Sequence, residues 1–201
     1  MDLEKIKDFA KKHLEKNDRG HGWQHTRRVL KLCEKINEEE GADLEVLRIA
    51  ALLHDIGHHK DKDRHAAISA ELAEEVLENY DKREEVLHCI RTHRFSDDRK
   101  AETLEAKILQ DADRLDAMGA VGVARTMMYS GANNRPIYLP EKKFSGGYDG
   151  ESETAVEHFH DKLLKIKERL KTETAREIGE HRHCFMEEFL AQLEKEWEGE
   201  R

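Results

Sequence analysis

Proline is nearly absent: Pro136 and Pro140 are the only two in 201 residues, and both fall in one segment. Elsewhere no proline interrupts a helix. Aromatic residues amount to 6%, and no alternating polar and apolar stretch of useful length occurs, so the pattern of a sheet protein is missing. Cysteine is limited to Cys33, Cys89 and Cys184, far apart and without a C-x-x-C pair. Each lies in a helix-like run among apolar neighbours and reads as a reduced core residue. No uninterrupted apolar stretch approaches 18 residues, and the opening Met1-Asp2-Leu3-Glu4-Lys5 is charged, with no apolar leader segment. A soluble, cytoplasmic protein with no membrane partner is the expectation. An excess of positive charge is also lacking: 35 Lys and Arg stand against 44 Asp and Glu, a formal net charge of −9. Such a surface repels a nucleic acid polymer, although it can still enclose a small basic pocket.

What the chain does have is charge, 39% of all residues, arranged along amphipathic helices. The expectation is an all-α, single-domain bundle of about eight helices. Its core would span about 20–130, followed by an irregular loop over 133–150 and C-terminal helices over about 152–198. Leu3, Ile6, Phe9, Ala10 and Leu14 recur at helical spacing until Asn17-Asp18-Arg19-Gly20 breaks the pattern. A second helix runs from about Trp23 through Val29, Cys33 and Ile36 to Gly41, a residue suited to a helix end. Asp43 suits the N-cap of a third, in which Val46, Leu47 and Ile49 to Leu53 are all apolar. Further helices are expected over roughly 64–79, 82–94, 101–130, 152–170 and 173–197, the third and second of these separated by the polar run Ser96-Asp97-Asp98-Arg99. The loop holding both prolines and Gly146-Gly147 has the length of a lid or binding loop.

Polar residues interrupt the most apolar helix. The buried run ending at Leu53 passes directly into His54-Asp55-Ile56-Gly57-His58-His59. Burying an imidazole and a carboxylate unpaired costs several kcal/mol, and a divalent cation removes that penalty because both groups are ligands. A surface His-Asp pair at a helix terminus is the competing reading. Two more segments repeat the theme. His21 and His25 stand four apart at the start of a helix, and Asp111, Asp113 and Asp116 interrupt a run containing Ile108, Leu109, Leu115 and Met118.

The order His25, His54-Asp55, Asp113 resembles the H…HD…D signature of the HD superfamily of metal-dependent phosphohydrolases. Several flanks are similar to a bacterial and archaeal branch that includes nucleotide pyrophosphohydrolases. These are His21-x-x-x-His25-x-x-Arg28-Val29, Leu52-Leu53-His54-Asp55, Thr92-His93-Arg94-Phe95-Ser96, Gln110 to Gly119, Ala124-Arg125-Thr126, and His158-Phe159-x-x-Lys162-Leu163-Leu164. The resemblance covers most of the chain. It implies a bundle of the HD-domain type with His25, His54, Asp55 and Asp113 as direct ligands of one divalent metal ion on separate helices. Mn²⁺ or Mg²⁺ comes first, with Fe, Co or Ni as alternatives. Gly22 departs from the pattern, since relatives often carry Asp there, and this bears on the substrate more than on the metal.

The function implied is hydrolysis of a phosphorylated small molecule, a nucleotide first, with pyrophosphate release from a nucleoside triphosphate as the leading form. A bound metal would polarise a phosphoryl oxygen and lower the pKa of a water from about 15.7 towards neutrality. Asp55, His58 and Asp116 are the candidate catalytic residues, the last two as proton carriers. Two carboxylates balance one 2+ ion, so nearby cations must meet the substrate's charge. Lys60, Arg94, Arg114 and Arg125 are candidates, as is His93; for Lys60, Arg94 and Arg125 a solvated helix face is the competing reading. In some relatives the positions of His65 and His93 bind a second metal. Two other classes stay open: a di-iron oxygenase of HD type, which needs His65 and His93 as ligands, and a nucleotide- or metal-binding sensor without turnover. A homodimer is also left open.

Overall fold

In the computed structural model, which describes residues 2–14, 21–61, 63–94, 100–141 and 152–201, the helical periodicity of the sequence becomes nine α-helices, with no strand among the described residues. They are α1 (Leu3–Leu14), α2 (Trp23–Glu40), α3 (Leu44–Leu53), α4 (His65–Val76), α5 (Arg83–Thr92), α6 (Leu104–Asp116), α7 (Gly119–Ala132), α8 (Ala155–Asp161) and α9 (Glu173–Trp197). Two 3₁₀ turns, Leu163–Lys165 and Lys167–Arg169, lie between α8 and α9. The expected break at Asn17 to Gly20, the polar run at 96–99 and the 142–150 part of the loop lie outside the described residues.

Two compact units form, Met1–Asp113 and Arg114–Arg201. The first is built around α3, which packs on α1, α2, α4 and α5. A helix apolar on nearly all sides has to be enclosed in this way. Val46, Leu47 and Ile49 to Leu53 are buried there with Ile6 and Ala10 of α1, Val29, Cys33 and Ile36 of α2, and Val86, Leu87 and Ile90 of α5. Each large apolar side chain so buried contributes about 1.5–3 kcal/mol. The ends of these helices follow the expected chemistry. Asp43 accepts from the N–H groups of Glu45 and Val46 at 3.0 and 3.1 Å, and Gly41 ends α2 at φ +74 with its N–H on the Asn37 carbonyl.

In the second unit α7 packs on α8 and α9 around Phe159, Leu163, Ile166, Ala175, Met186 and Leu190. The expected helix over 101–130 is two helices here. After Asp116 the N–H groups of Ala117 and Met118 turn back to the carbonyls of Arg114 and Leu115, and Gly119 restarts the chain at φ +68. Leu115, Met118, Gly122 and Thr126 stay buried across the break, so the apolar period runs on through it. The expected helix over 152–170 likewise ends at Asp161 and continues as the two 3₁₀ turns. There Leu163, Ile166 and Leu170 keep the buried side at near-helical spacing.

The turn after α3 has little room. A Cβ on Gly57 would lie 2.7 Å from Ser69 N and 2.8 Å from Ile68 Cγ2, while the Gly57 N–H donates to Ser69 Oγ at 2.9 Å. Residues 54–58 are thereby seated against α4. Gly57→Ala is expected to lower stability by about 1–3 kcal/mol through overpacking, read from urea unfolding. An unchanged midpoint would show that α4 can move aside.

Candidate metal centre

The polar residues singled out from the sequence gather at helix ends in the first unit. His25 lies in the first turn of α2, His65 opens α4 and Asp113 lies in the last turn of α6. His54 and His93 each follow the last residue of a helix, α3 and α5, so the His54-Asp55 pair caps its helix instead of lying within it. Helix ends leave carbonyls without intrahelical partners, and both histidines use them. His54 Nδ1 donates to the Ala51 carbonyl at 2.8 Å and His93 Nδ1 to the Ile90 carbonyl at 2.7 Å. With the proton fixed on Nδ1, the neutral ring presents Nε2 as a lone pair, the form a metal ligand needs.

Those lone pairs converge on carboxylates. His25 Nε2 is 3.2 Å from His54 Nε2 and 3.4 Å from both Asp55 Oδ2 and Asp113 Oδ1, and His54 Nε2 is 3.8 Å from Asp55 Oδ2. Bonds of about 2.1 Å would separate ligand atoms by about 3.4 Å at tetrahedral angles or about 3.0 Å at octahedral ones. Donor type and spacing therefore fit a divalent cation. On the other side of Asp55, Oδ1 lies 3.5 Å from His65 Nε2 and 3.5 Å from His93 Nε2, which are 3.2 Å apart. One carboxylate thus faces two groups of imidazoles with its two oxygens.

The electrostatics keep His54, Asp55 and Asp113 in ligand form. Burial pushes His54 down to about 4, only partly opposed by Asp55, so the ring is neutral near pH 7. Burial would raise Asp55 and Asp113, but the surrounding imidazoles outweigh it: His54 and His21 hold Asp55 well below the usual carboxylate range, and His25 and His54 lower Asp113. Burial would lower His93, yet its hydrogen bond and proximity to Asp55 leave it raised. His58 is pushed down to about 4 by burial and then by His21.

The other expected residues divide. His58 joins the cluster, its ring 4.1 Å from that of His21 and 5.1 Å from that of His65. Lys60 is exposed. Arg94 pairs with Asp63, Nη2 to Oδ1 at 2.9 Å. Asp116, Arg114 and Arg125 belong to the second unit, where Arg125 donates to the buried Asp116 carboxylate and Arg114 Nη1 donates to the Arg169 carbonyl at 2.9 Å. Asp111 is fully buried in the middle of α6, not at a helix end. The sequence offers His21 only as part of a spacing, yet its Nδ1 is 2.8 Å from Asp55 Oδ2. The available signal was its position four residues before His25, one helical turn away.

Residues 22–118 match the HD domain, the span that holds His25, His54, Asp55 and Asp113. The chain is also 37% identical over 206 residues to YpgQ, an uncharacterized protein of Bacillus subtilis, an alignment covering 98% of this chain and 94% of that protein. The chain belongs to the HD-domain family. Among solved structures, this HD-domain protein superposes on one from Lactobacillus plantarum with a TM-score of 0.81 and 31% identity, covering 98% of this chain and 97% of that one. An HD-superfamily hydrolase from Bacillus thuringiensis gives 0.78 and 36%, covering 98% and 96%. YpgQ of Bacillus subtilis in complex with ADP gives 0.73 and 34%, covering 96% and 97%. Among the described residues of this HD-domain protein, no helix is long and apolar enough to cross a membrane.

Proposed function

We propose that the protein is a cytoplasmic, divalent-metal-dependent phosphohydrolase acting on a nucleotide or related phosphorylated small molecule, with release of pyrophosphate from a nucleoside triphosphate as the leading form. The observation that carries this reading is the convergence of His25 Nε2, His54 Nε2, Asp55 Oδ2 and Asp113 Oδ1, with His25 3.2 to 3.4 Å from the other three and His54 3.8 Å from Asp55, in a family that includes hydrolases. The ADP complex of YpgQ supports a nucleotide ligand.

Those four residues would hold a divalent cation, which would supply Lewis acidity towards a phosphoryl oxygen and lower the pKa of a water. The chain's own residues supply the rest. Asp55 and Asp113 balance one 2+ charge, so the substrate's phosphates need further positive charge. Arg94 is available for that role, because an exposed pair such as Arg94 with Asp63 contributes only about 0–1 kcal/mol and can be exchanged for phosphate. Lys60, which is exposed, is proposed for the same role, and Arg114 and Arg125 on the family resemblance alone. His58, neutral near pH 7, can take a proton from an attacking water, with Asp116 as the alternative carrier.

A second reading is favoured by one observation: Asp55 Oδ1 stands 3.5 Å from both His65 and His93. A second cation there is compatible with two-metal hydrolysis and also with a di-iron oxygenase. Purified protein would be assayed for metal by mass spectrometry and screened against nucleotides with Mn²⁺, Mg²⁺, Co²⁺ and Ni²⁺, scoring phosphate and pyrophosphate separately and following oxygen. Metal-dependent release of pyrophosphate is expected. Oxygen uptake on substrate addition would favour the iron enzyme, and tight nucleotide binding without product would make the protein a sensor.

A further inference from the structure

His21 stands outside the four-residue set, yet it makes the shortest contact to Asp55: Nδ1 to Oδ2 is 2.8 Å, against 3.4 Å for His25 and 3.8 Å for His54. An ionised carboxylate only accepts, so the proton of this bond sits on His21 Nδ1. The His21 side chain is 36% exposed and Asp55 2%, so the donor reaches the buried acid from the solvent side. The ring is held from a second direction by stacking on His58, with centroids 4.1 Å apart and planes 12° from parallel.

The bond matters because Asp55 has two tasks in opposite directions. Oδ2 faces His25 and His54 while Oδ1 faces His65 and His93, and a rotation of the carboxylate would spoil both. We propose that His21 is a positioning residue that fixes the rotation of Asp55 by donating Nδ1–H to Oδ2, keeping the two oxygens divided between the two imidazole groups. This rests on the metal-site reading above. Carboxylate ligands are commonly held by such outer hydrogen bonds, and their loss lowers metal affinity or activity by about 10–100-fold.

Side-chain chemistry separates this role from others. His21→Asn places an amide N–H near the position of Nδ1, whereas His21→Gln places one near Nε2. His21→Phe keeps a ring to stack on His58 but has no donor. The measurement is Mn²⁺ affinity by isothermal titration calorimetry on the full chain, with kcat and KM measured alongside and circular dichroism to confirm folding. His21→Phe and His21→Gln are expected to weaken Mn²⁺ binding about tenfold or more and to lower kcat with KM nearly unchanged. His21→Asn is expected to recover most of the affinity. Phe behaving as wild type would overturn the proposal, and so would Asn being as impaired as Phe. Complete loss of the first equivalent of Mn²⁺ in the Phe variant would also overturn it, by making His21 a ligand itself. His54→Ala is the control. If it keeps its Mn²⁺, the metal-site reading fails; if it loses Mn²⁺ while His21→Phe binds Mn²⁺ as tightly as wild type, only the positioning role fails.

Discussion

Asp55→Asn is expected to remove turnover, lowering the rate by more than about 100-fold, beyond the range for partners that only support a ligand. The reason is that a single carboxylate serves the whole cluster. Its two oxygens lie between 2.8 and 3.8 Å from ring nitrogens of His21, His25, His54, His65 and His93. Asparagine keeps the size of the side chain but not its charge, and one of the two oxygens is replaced by an NH₂ group that has no lone pair to offer a cation. Asp113 alone would then oppose a 2+ ion in a largely buried site. Metal content by mass spectrometry and kcat/KM, on protein shown folded by circular dichroism, give the outcome. Retention of both would refute the ligand assignment.

Stripping the protein with a chelator is expected to lower Tm by about 5–10 °C as well as to end activity. A ligand present at about 100 times its Kd stabilises by about 2.7 kcal/mol, and for a chain of this length each kcal/mol moves Tm by about 2–4 °C. Calorimetry with and without restored Mn²⁺ measures the shift; equal Tm values would mean that the native protein holds no cation.

The stripped protein should also lose stability in acid. His54 has its folded value near 4 against an ordinary 6.5, so the unfolded chain binds the extra proton as pH falls through that window. Asp55 and Asp113, both lowered by their imidazole neighbours, lose their contribution below the ordinary carboxylate value of 3.8. His93, raised by Asp55, works in the opposite direction. The His93 contribution is complete below about pH 6.5, so His54 governs there and stability of the stripped protein is expected to fall from about pH 6.5 downwards.

Much of the helical framework can be read from one-dimensional patterns, because the same apolar residues that set the period are the ones buried. Val46, Leu47 and Ile49 to Leu53 are all buried, and Asp43 and Gly41 announce the helix ends by side-chain and backbone chemistry. The break at Gly119 was hidden because the buried face continues across it, from Leu115 and Met118 to Gly122; a lone glycine does not reveal its positive φ. His54, Asp55 and Asp113 stand out because each interrupts an apolar segment, and His25 through its spacing from His21 and the family resemblance. The contact of His21 with Asp55 does not, since a half-exposed histidine before a helix looks like surface until the fold brings residues 21 and 55 together. The pairing of Arg125 with Asp116 was equally invisible, as was the hold of carbonyls Ala51 and Ile90 on the rings three residues later.

The most direct test of the centre is anomalous diffraction from crystals grown with Mn²⁺, recorded at the manganese edge. The expected result is a peak bonded at about 2.0–2.2 Å to His25 Nε2, His54 Nε2, Asp55 Oδ2 and Asp113 Oδ1 together. A peak elsewhere, or none at saturating Mn²⁺, would contradict the account.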